Sequence, residues 1–429
     1  MRRPTILLAV AALVAGSLTA CSAAAAELTV LGPWTGGEEQ AFRAMFHGFE
    51  TEENVHIDYT GTPAVNEVLQ ADVQKGQPPD VAVLSSPGEL ARYAASGDLR
   101  KITGSVDVSD GEYSQQWRTL LKLGTNDLYA VPVKADLKSI VWFDPKVSSK
   151  MDSWQQLLDF TAKSAAGGPR TWCLGMEAYS TSGWPGTDWI EDILLHQSGP
   201  SVYQDWATGQ LAWNSDPVRA AWQTWGQLLD AQDKPGDQQA MRNAALLTYF
   251  GDAGGKMFDQ HPGCLLEHQG SFTTGTYPTT AERGRDYDFF PFPTIASQVP
   301  QSYEVSVNLA GLFTDNPLAR KLMAYLAGAR AQGVWPARPG GTAFSVNREV
   351  LNAGVYRDPV STRIAGVLAQ ADHLCLDASD VMPAEMSDAF SRAILEYLGD
   401  PGRLDAILTG LDDVRSGLSA KGRLSVPCG

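Results

Sequence analysis

Apolar positions in the first part of the chain switch repeatedly between the strand and helix periods. The short β-prone run Leu28 to Leu31 reads as a strand feeding the turn Gly32-Pro33-Trp34-Thr35-Gly36-Gly37. Phe42, Met45, Phe46 and Phe49 then repeat on one helical face, with Glu38 and Glu39 placed to favour the positive N-terminal end. Val55 to Tyr59 reads as a second strand. Val65, Val68, Leu69 and Val73 mark another helix, stopped by Gly76 and Pro78-Pro79, and Asp80 to Leu84 is a third strand. Strand alternating with helix predicts an α/β fold with a largely parallel sheet, helices on both faces and a ligand crevice beyond the carboxyl ends of the strands.

The pattern changes at Leu128 to Phe143, a long extended segment followed by Asp144-Pro145 and a helix from about Asp152. It reads as a crossover between two lobes. Nine of the twelve tryptophans follow in one stretch, from Trp142 to Trp225, and most are expected in a second core. Val218, Trp222, Trp225 and Leu229 share one face of a helix capped by Asp216 and started by Pro217. Strands return near Tyr287 to Phe290 and Val305 to Leu312. Asn316-Pro317 opens a helix carrying Leu318, Leu322, Tyr325 and Leu326, and a loop Pro339-Gly340-Gly341-Thr342-Ala343-Phe344 precedes a helical C-terminal third. No internal repeat or low-complexity linker interrupts the chain. Two lobes joined by several crossings suggest a clamp that closes over a ligand by hinge motion, with the cleft as the site.

The N-terminus sets the compartment. Arg2 and Arg3, an apolar run from Ile6 to Val14 and small residues leading into Leu18-Thr19-Ala20-Cys21 make a signal peptide. The run is shorter than the ~20 apolar residues of a spanning helix, and the flanks expected of twin-arginine export are missing. Leu-Thr-Ala-Cys is similar to the bacterial lipobox, in which the cysteine is lipidated and the chain is cut before it. Cys21 is thus the expected anchor, and a plain signal peptide cut elsewhere is the alternative. Loss of Arg2 and Arg3 takes the formal charge from −16 to −18, which argues against nucleic acid and against direct adhesion to anionic lipid. Four cysteines remain, and in an oxidising compartment two disulfides are expected. Spacing leaves three connectivities open. Cys428 bonded to Cys375 would pin the tail, so the expectation is Cys173 with Cys264 and Cys375 with Cys428.

Catalytic signatures are missing: no Gly-x-Ser-x-Gly, His-Glu-x-x-His or Walker loop occurs. Gly251-Asp252-Ala253-Gly254-Gly255-Lys256 is a residue short of a phosphate loop and is followed by Met257. His261, Cys264, Glu267 and His268 could be drawn as metal ligands, but a disulfide half is the simpler role for Cys264. No metal or cofactor is expected. Asp188, Glu191 and Asp192 beside Trp184 and Trp189 resemble a glycosidase locally, although acids favour the first turn of any helix and Thr187 or Asp188 could cap one. Sugar recognition uses the same residue types without chemistry: an aromatic face for the pyranose and carboxylates for its hydroxyls.

Several segments together resemble a known family. They are Trp34-Thr35-Gly36-Gly37-Glu38, Gln77-Pro78-Pro79-Asp80-Val81-Ala82, Val133 to Phe143, Trp172-Cys173-Leu174-Gly175, Gly183 to Asp192, Pro262-Gly263-Cys264, Asp286 to Pro293 and Asp380-Val381-Met382-Pro383. In order along nearly the whole mature chain, they resemble the extracellular solute-binding proteins of carbohydrate ABC importers, the α-glucoside branch above all. The resemblance implies a two-lobe, maltose-binding-protein-like (type II) fold, a sugar between the lobes and docking onto a permease. The expected division is 1–20 signal peptide, 21–26 tether, 27–137 with 303–345 as the first lobe, and 138–302 with 346–429 as the second. By position it implies that Trp34, Thr35, Thr62, Ser85, Ser86, Lys134 and Asp136 face the cleft from one side, Trp184, Asp188, Ser271 and Phe272 from the other, with Gly340, Gly341 and Thr342 in a late loop near the ligand. Trp34, Asp136 and Trp184 are the leading contacts, and lobe core is the competing role for Trp184. Thr60-Gly61-Thr62-Pro63 stands where relatives often carry Arg or Asp. The expected protein is a monomer, lipid-anchored at the outer face of the cytoplasmic membrane. A secreted carbohydrate-active enzyme and an anchored protein binding a non-sugar ligand are the alternatives.

Overall fold

The computed structural model describes residues 26–165, 169–232, 236–418, 424 and 428. The signal segment, Cys21 and all of the tether but Ala26 lie outside them. The described strands, in chain order, are β1 (Ala26–Gly32), β2 (Val55–Gly61), β3 (Val81–Leu84), β4 (Ala130–Leu137), β5 (Ile140–Phe143), β6 (Arg170–Trp172), β7 (Cys264–His268), β8 (Asp288–Pro291), β9 (Tyr303–Leu312) and β10 (Leu374–Leu376).

The first lobe is built on a six-stranded sheet ordered β10-β9-β3-β1-β2, with β4 along the other edge of β9. β1 pairs in parallel with β2 and β3, as the alternating pattern predicts. The sheet is nevertheless mixed, because β9 runs antiparallel to β3 and β4. The reason is topological: β4 carries the chain out to the second lobe and β9 brings it back, so the two run in opposite directions. In the helix Gly36–Glu53 the 3.6-residue period buries Phe42, Met45, Phe46 and Phe49 on this sheet. Asn316 caps the helix Pro317–Ala327 by accepting from the Leu318 amide.

The second lobe holds a four-stranded sheet ordered β6-β7-β5-β8. Strand alternation splits its faces. Val141, Phe143 and Phe290 join a core with Trp189, Trp206, Trp213, Trp222, Trp225 and Phe390, whereas Trp142 and Phe289 point the other way into a cluster continuous with the first lobe. Most of the tryptophan-rich stretch is therefore core. Its helices start slightly earlier than the sequence suggests. Ser215, not Asp216, is the N-cap of Asp216–Ala231, and Trp184–Ser198 begins after Gly183, which adopts φ 107°, so neither Thr187 nor Asp188 is a cap.

Several residues beyond the expected boundary at 345 pack with the first-lobe sheet. Val346, Val360, Ile364 and Leu368 pack in the cluster that holds the first-lobe core and β10 joins β9, while helices Ala384–Gly399 and Leu404–Gly417 pack in the second core. Both expected disulfides are present, Cys173–Cys264 and Cys375–Cys428. Among the described residues no helix is long and apolar enough to cross a membrane.

Candidate functional site

The side chains of Lys134 and Asp136 on β4, and of Lys138 just past its end, follow the two-residue period onto one face where the lobes meet. Lys134 Nζ lies 2.8 Å from Glu38 Oε1 and 3.5 Å from Asp136 Oδ2. Asp136 Oδ1 accepts a 2.9 Å bond from Ser271 Oγ, which itself accepts from the Leu137 amide at 3.2 Å. Burial raises the Asp136 carboxyl to about 6, against the pull of Lys134 and Ser271. Burial would lower the Lys134 ammonium, but Asp136 and Glu38 outweigh it and raise it.

Aromatic rings cover these charges. Phe272 lies beneath both ammonium groups, 5.8 Å from Lys134 Nζ and 5.9 Å from Lys138 Nζ, while Trp335 lies 5.3 Å from Lys134 and Trp184 4.9 Å from Lys138. From Phe272 a row of rings runs across the second lobe: Trp184 at 5.8 Å, Phe250 at 4.9 Å from Trp184, Tyr249 at 4.7 Å from Phe250 and Tyr179 at 5.5 Å from Tyr249. The first four are half-buried and Tyr179 is 62% exposed. Tyr179 also adopts φ 55°, a left-handed conformation that costs a bulky residue energy.

Lys134, Asp136, Trp184, Ser271 and Phe272 thus come together, and Thr342 joins them by donating to Glu38 Oε1 at 3.3 Å. Gly340 and Gly341 take part through their carbonyls, which accept from Arg283 of the second lobe. The remaining expected residues make other contacts. Trp34 is 5% exposed and packs at 4.6 Å on Phe42 and 5.0 Å on Trp335, so its ring belongs to the first-lobe core. Asp188 is 2% exposed and bonds Lys138 Nζ at 2.6 Å, facing the chain crossings rather than an open cleft. Burial raises its carboxyl to about 7 although Lys138 opposes the shift. Thr62 accepts from the Ala64 amide, Ser86 caps the helix Pro87–Ser96 and donates to Asp380 O, and Thr35 and Ser85 are exposed. Sequence reasoning missed Glu38, Lys138 and Arg283 and the rings of Tyr179, Tyr249, Phe250 and Trp335. Only Lys138 carried a signal, its alternation with Lys134 and Asp136.

The carboxylates considered for catalysis are committed to structure. Glu191 accepts from the Ala378 and Ser379 amides and the Tyr203 hydroxyl. Asp192 accepts from Ser139 and bonds His268 Nε2 at 2.6 Å, and both acids are fully buried. A glycosidase needs two carboxyls flanking its substrate, and these flank packed protein. The metal set drawn from sequence does not assemble either: Cys264 is in a disulfide, Glu267 bonds Tyr277 and His268 bonds Asp192.

A model of the bacterial extracellular solute-binding protein family matches residues 34–333. The α-glucosides-binding periplasmic protein AglE of Rhizobium meliloti (strain 1021) is 30% identical over 88% of this chain and 84% of its own. The osmoprotective compounds-binding protein GgtB of Synechocystis sp. is 28% identical over 87% of this chain and 89% of its own. Among solved structures, the solute receptor AcbH, described as preferring β-D-galactopyranose, superposes with a TM-score of 0.76 at 17% identity over 90% of this chain and 98% of its own. Maltose-bound T. maritima MalE3 gives 0.69 at 15% identity over 91% and 99%.

Proposed function

Because this chain belongs to the bacterial extracellular solute-binding proteins, a family of binding proteins and not of enzymes, we propose that it captures a carbohydrate between its lobes and delivers it to the permease of an ABC importer. The observation that carries the sugar reading is the row Phe272, Trp184, Phe250, Tyr249 and Tyr179 beside the Lys134–Asp136 pair. Half-exposed rings offer faces to the apolar side of pyranose units, and the adjacent charges take hydroxyl hydrogen bonds. A row of five rings suits a di- or oligosaccharide better than a single unit, and the likeness to AglE favours an α-glucoside. Asp136–Ser271 and Arg283–Gly341 bridge the lobes, so cargo enters by hinge opening and is held by closure. Cys21 serves as the lipid anchor that keeps the clamp at the outer face of the membrane.

A thermal-shift screen of the mature domain lacking Cys21, against mono-, di- and oligosaccharides, polyols and compatible solutes, tests the reading. A ligand at a hundredfold excess over its Kd stabilises by about 2.7 kcal/mol. A rise with an α-linked sugar supports the proposal; a rise with an osmoprotective solute alone, or with none, refutes the sugar assignment.

A further inference from the structure

The three chain crossings converge on a buried cluster of acids that the cargo site does not use. Lys138 and Ser139 lie on the first crossing, Glu304 at the start of β9 on the second and Asp377 after β10 on the third. Main-chain bonds tie them, Lys138 N to Glu304 O at 2.8 Å and Asp377 N to Val305 O at 2.9 Å, and the Glu304 amide donates to Ser139 Oγ at 2.6 Å. Asp188 reaches the same point from the second-lobe helix Trp184–Ser198. Carboxylate oxygens of Asp188, Glu304 and Asp377 all lie within 4.8 Å of one another.

The hydrogen bonding there is incomplete. Both carboxylate oxygens of Glu304, a fully buried residue, lack any partner, and so does Asp188 Oδ1. Asp188 Oδ2 is used by Lys138 at 2.6 Å, and Asp377 binds the same ammonium at 3.1 Å. A buried polar group without a partner is costly, and three orphan oxygens on two neighbouring buried carboxyls call for an electrophile. With all three ionised, three carboxylates against the Lys138 ammonium would leave two negative charges, the number a divalent ion balances. Asp377 is engaged already, its Oδ1 accepting from Ser379 Oγ at 2.8 Å and the Asp380 amide at 3.1 Å, so it offers a bridging oxygen rather than a free one; Glu191 and Asp192 likewise receive hydrogen bonds from Ala378, Ser379, Tyr203, Ser139 and His268.

We propose that Asp188, Glu304 and Asp377 bind one hard divalent cation of the calcium class at the hinge, through Asp188 Oδ1, the free Glu304 carboxylate and Asp377. An all-oxygen, all-carboxylate donor set selects such ions over zinc or copper. Oxygens on opposite sides of a calcium ion are separated by roughly 4.6–5.2 Å, twice the ~2.3–2.6 Å bond, so the span is suitable. The ion would staple the second-lobe helix to the second and third crossings and so set the hinge, independently of which solute fills the cleft.

The mature protein, dialysed against EDTA and then freed of chelator, is titrated with Ca2+, Mg2+ and Mn2+ by calorimetry, with Tb3+ emission sensitised by nearby Trp184 as a second readout. One equivalent of bound ion, a higher Tm with Ca2+, and affinity at least tenfold weaker in Glu304→Gln and Asp188→Asn with unchanged far-UV circular dichroism are expected. No binding by the unmutated protein at millimolar ion overturns the proposal and assigns the missing charges to protons. Binding of equal strength in both variants overturns it as well, because the ion then sits elsewhere. If neither variant folds, the titration of the unmutated protein decides.

Discussion

Arg283 of the second lobe donates from Nη1 to the carbonyl oxygen of Gly341 in the first at 3.0 Å. The same guanidinium reaches Ser361 Oγ at 2.9 Å, Asp358 Oδ2 at 3.3 Å and Gly340 O at 3.4 Å, so one side chain latches a loop and a helix start across the cleft. Replacing Arg283 by alanine removes charge-assisted bonds made only when the lobes are together. Each such bond to a charged group contributes about 1.5–3 kcal/mol. Arg283→Ala should therefore weaken solute affinity roughly tenfold or more, mostly through faster dissociation, and enlarge the radius of gyration of the loaded protein in solution scattering. Unchanged dissociation would show that the latch does not hold the closed form.

The two tryptophans first singled out for the ligand should part company on mutation. Trp184→Ala, at the centre of the ring row, is expected to leave the fold intact and weaken saccharide binding by about 2 kcal/mol or more. Trp34→Ala empties a core position against Phe42 and Trp335 and should cost about 3–5 kcal/mol of stability. Calorimetric titration and urea unfolding of both variants separate the roles. A Trp34 variant of full stability and lost affinity would reverse the assignment.

Glu267 gives the protein a pH dependence of definite sign. Burial raises its carboxyl to about 7, although Tyr277, Thr273 and the Gly254 amide favour the ionised form. The unfolded carboxyl titrates near ~4.3, so between that pH and about 7 the folded state holds more proton and stability falls as pH rises, by an amount on the order of 3 kcal/mol. Glu267→Gln keeps an acceptor for Tyr277 but cannot ionise. Its unfolding free energy should decline less between pH 5 and pH 8 than that of the unmutated protein, and an identical decline would clear Glu267 of the effect.

The Cys375–Cys428 bond closes a loop of 53 residues and ties the C-terminal segment to the start of the third crossing. Serine at both positions should lower stability by up to about 4 kcal/mol on chain-entropy grounds. Limited proteolysis of that variant should begin in the released tail. Cleavage that begins elsewhere, at an unchanged Tm, would show that the bond does not restrain it.

Local periodicity made the helix faces of Phe42 to Phe49 and Val218 to Leu229 legible, because each buries one face, the first on the first-lobe sheet and the second against neighbouring helices. It also exposed the two-lobe plan, through the long extended run at 128–143. What could not be read depends on pairing across distance. Nothing near Val305 says that its strand pairs with β3 and β4 in antiparallel sense, and nothing near Val360 says that its helix stays with the first lobe. The hinge acids have no local signature, since Ser139 and Glu304 meet only when crossings 165 residues apart are brought together. Tyr179 carries no local sequence signal, and only its backbone and its neighbours in the ring row set it apart.

The placement of β9 has a consequence for how the chain is made. It is the strand that β3, β4 and β10 all bond to, yet during synthesis it follows the whole intervening part of the second lobe. Until residues 303–312 emerge, β3 has an open edge and β4 has no strand to pair with. Folding of the first lobe must therefore await distant contacts, which slows it. That delay leaves the nascent chain unfolded for longer.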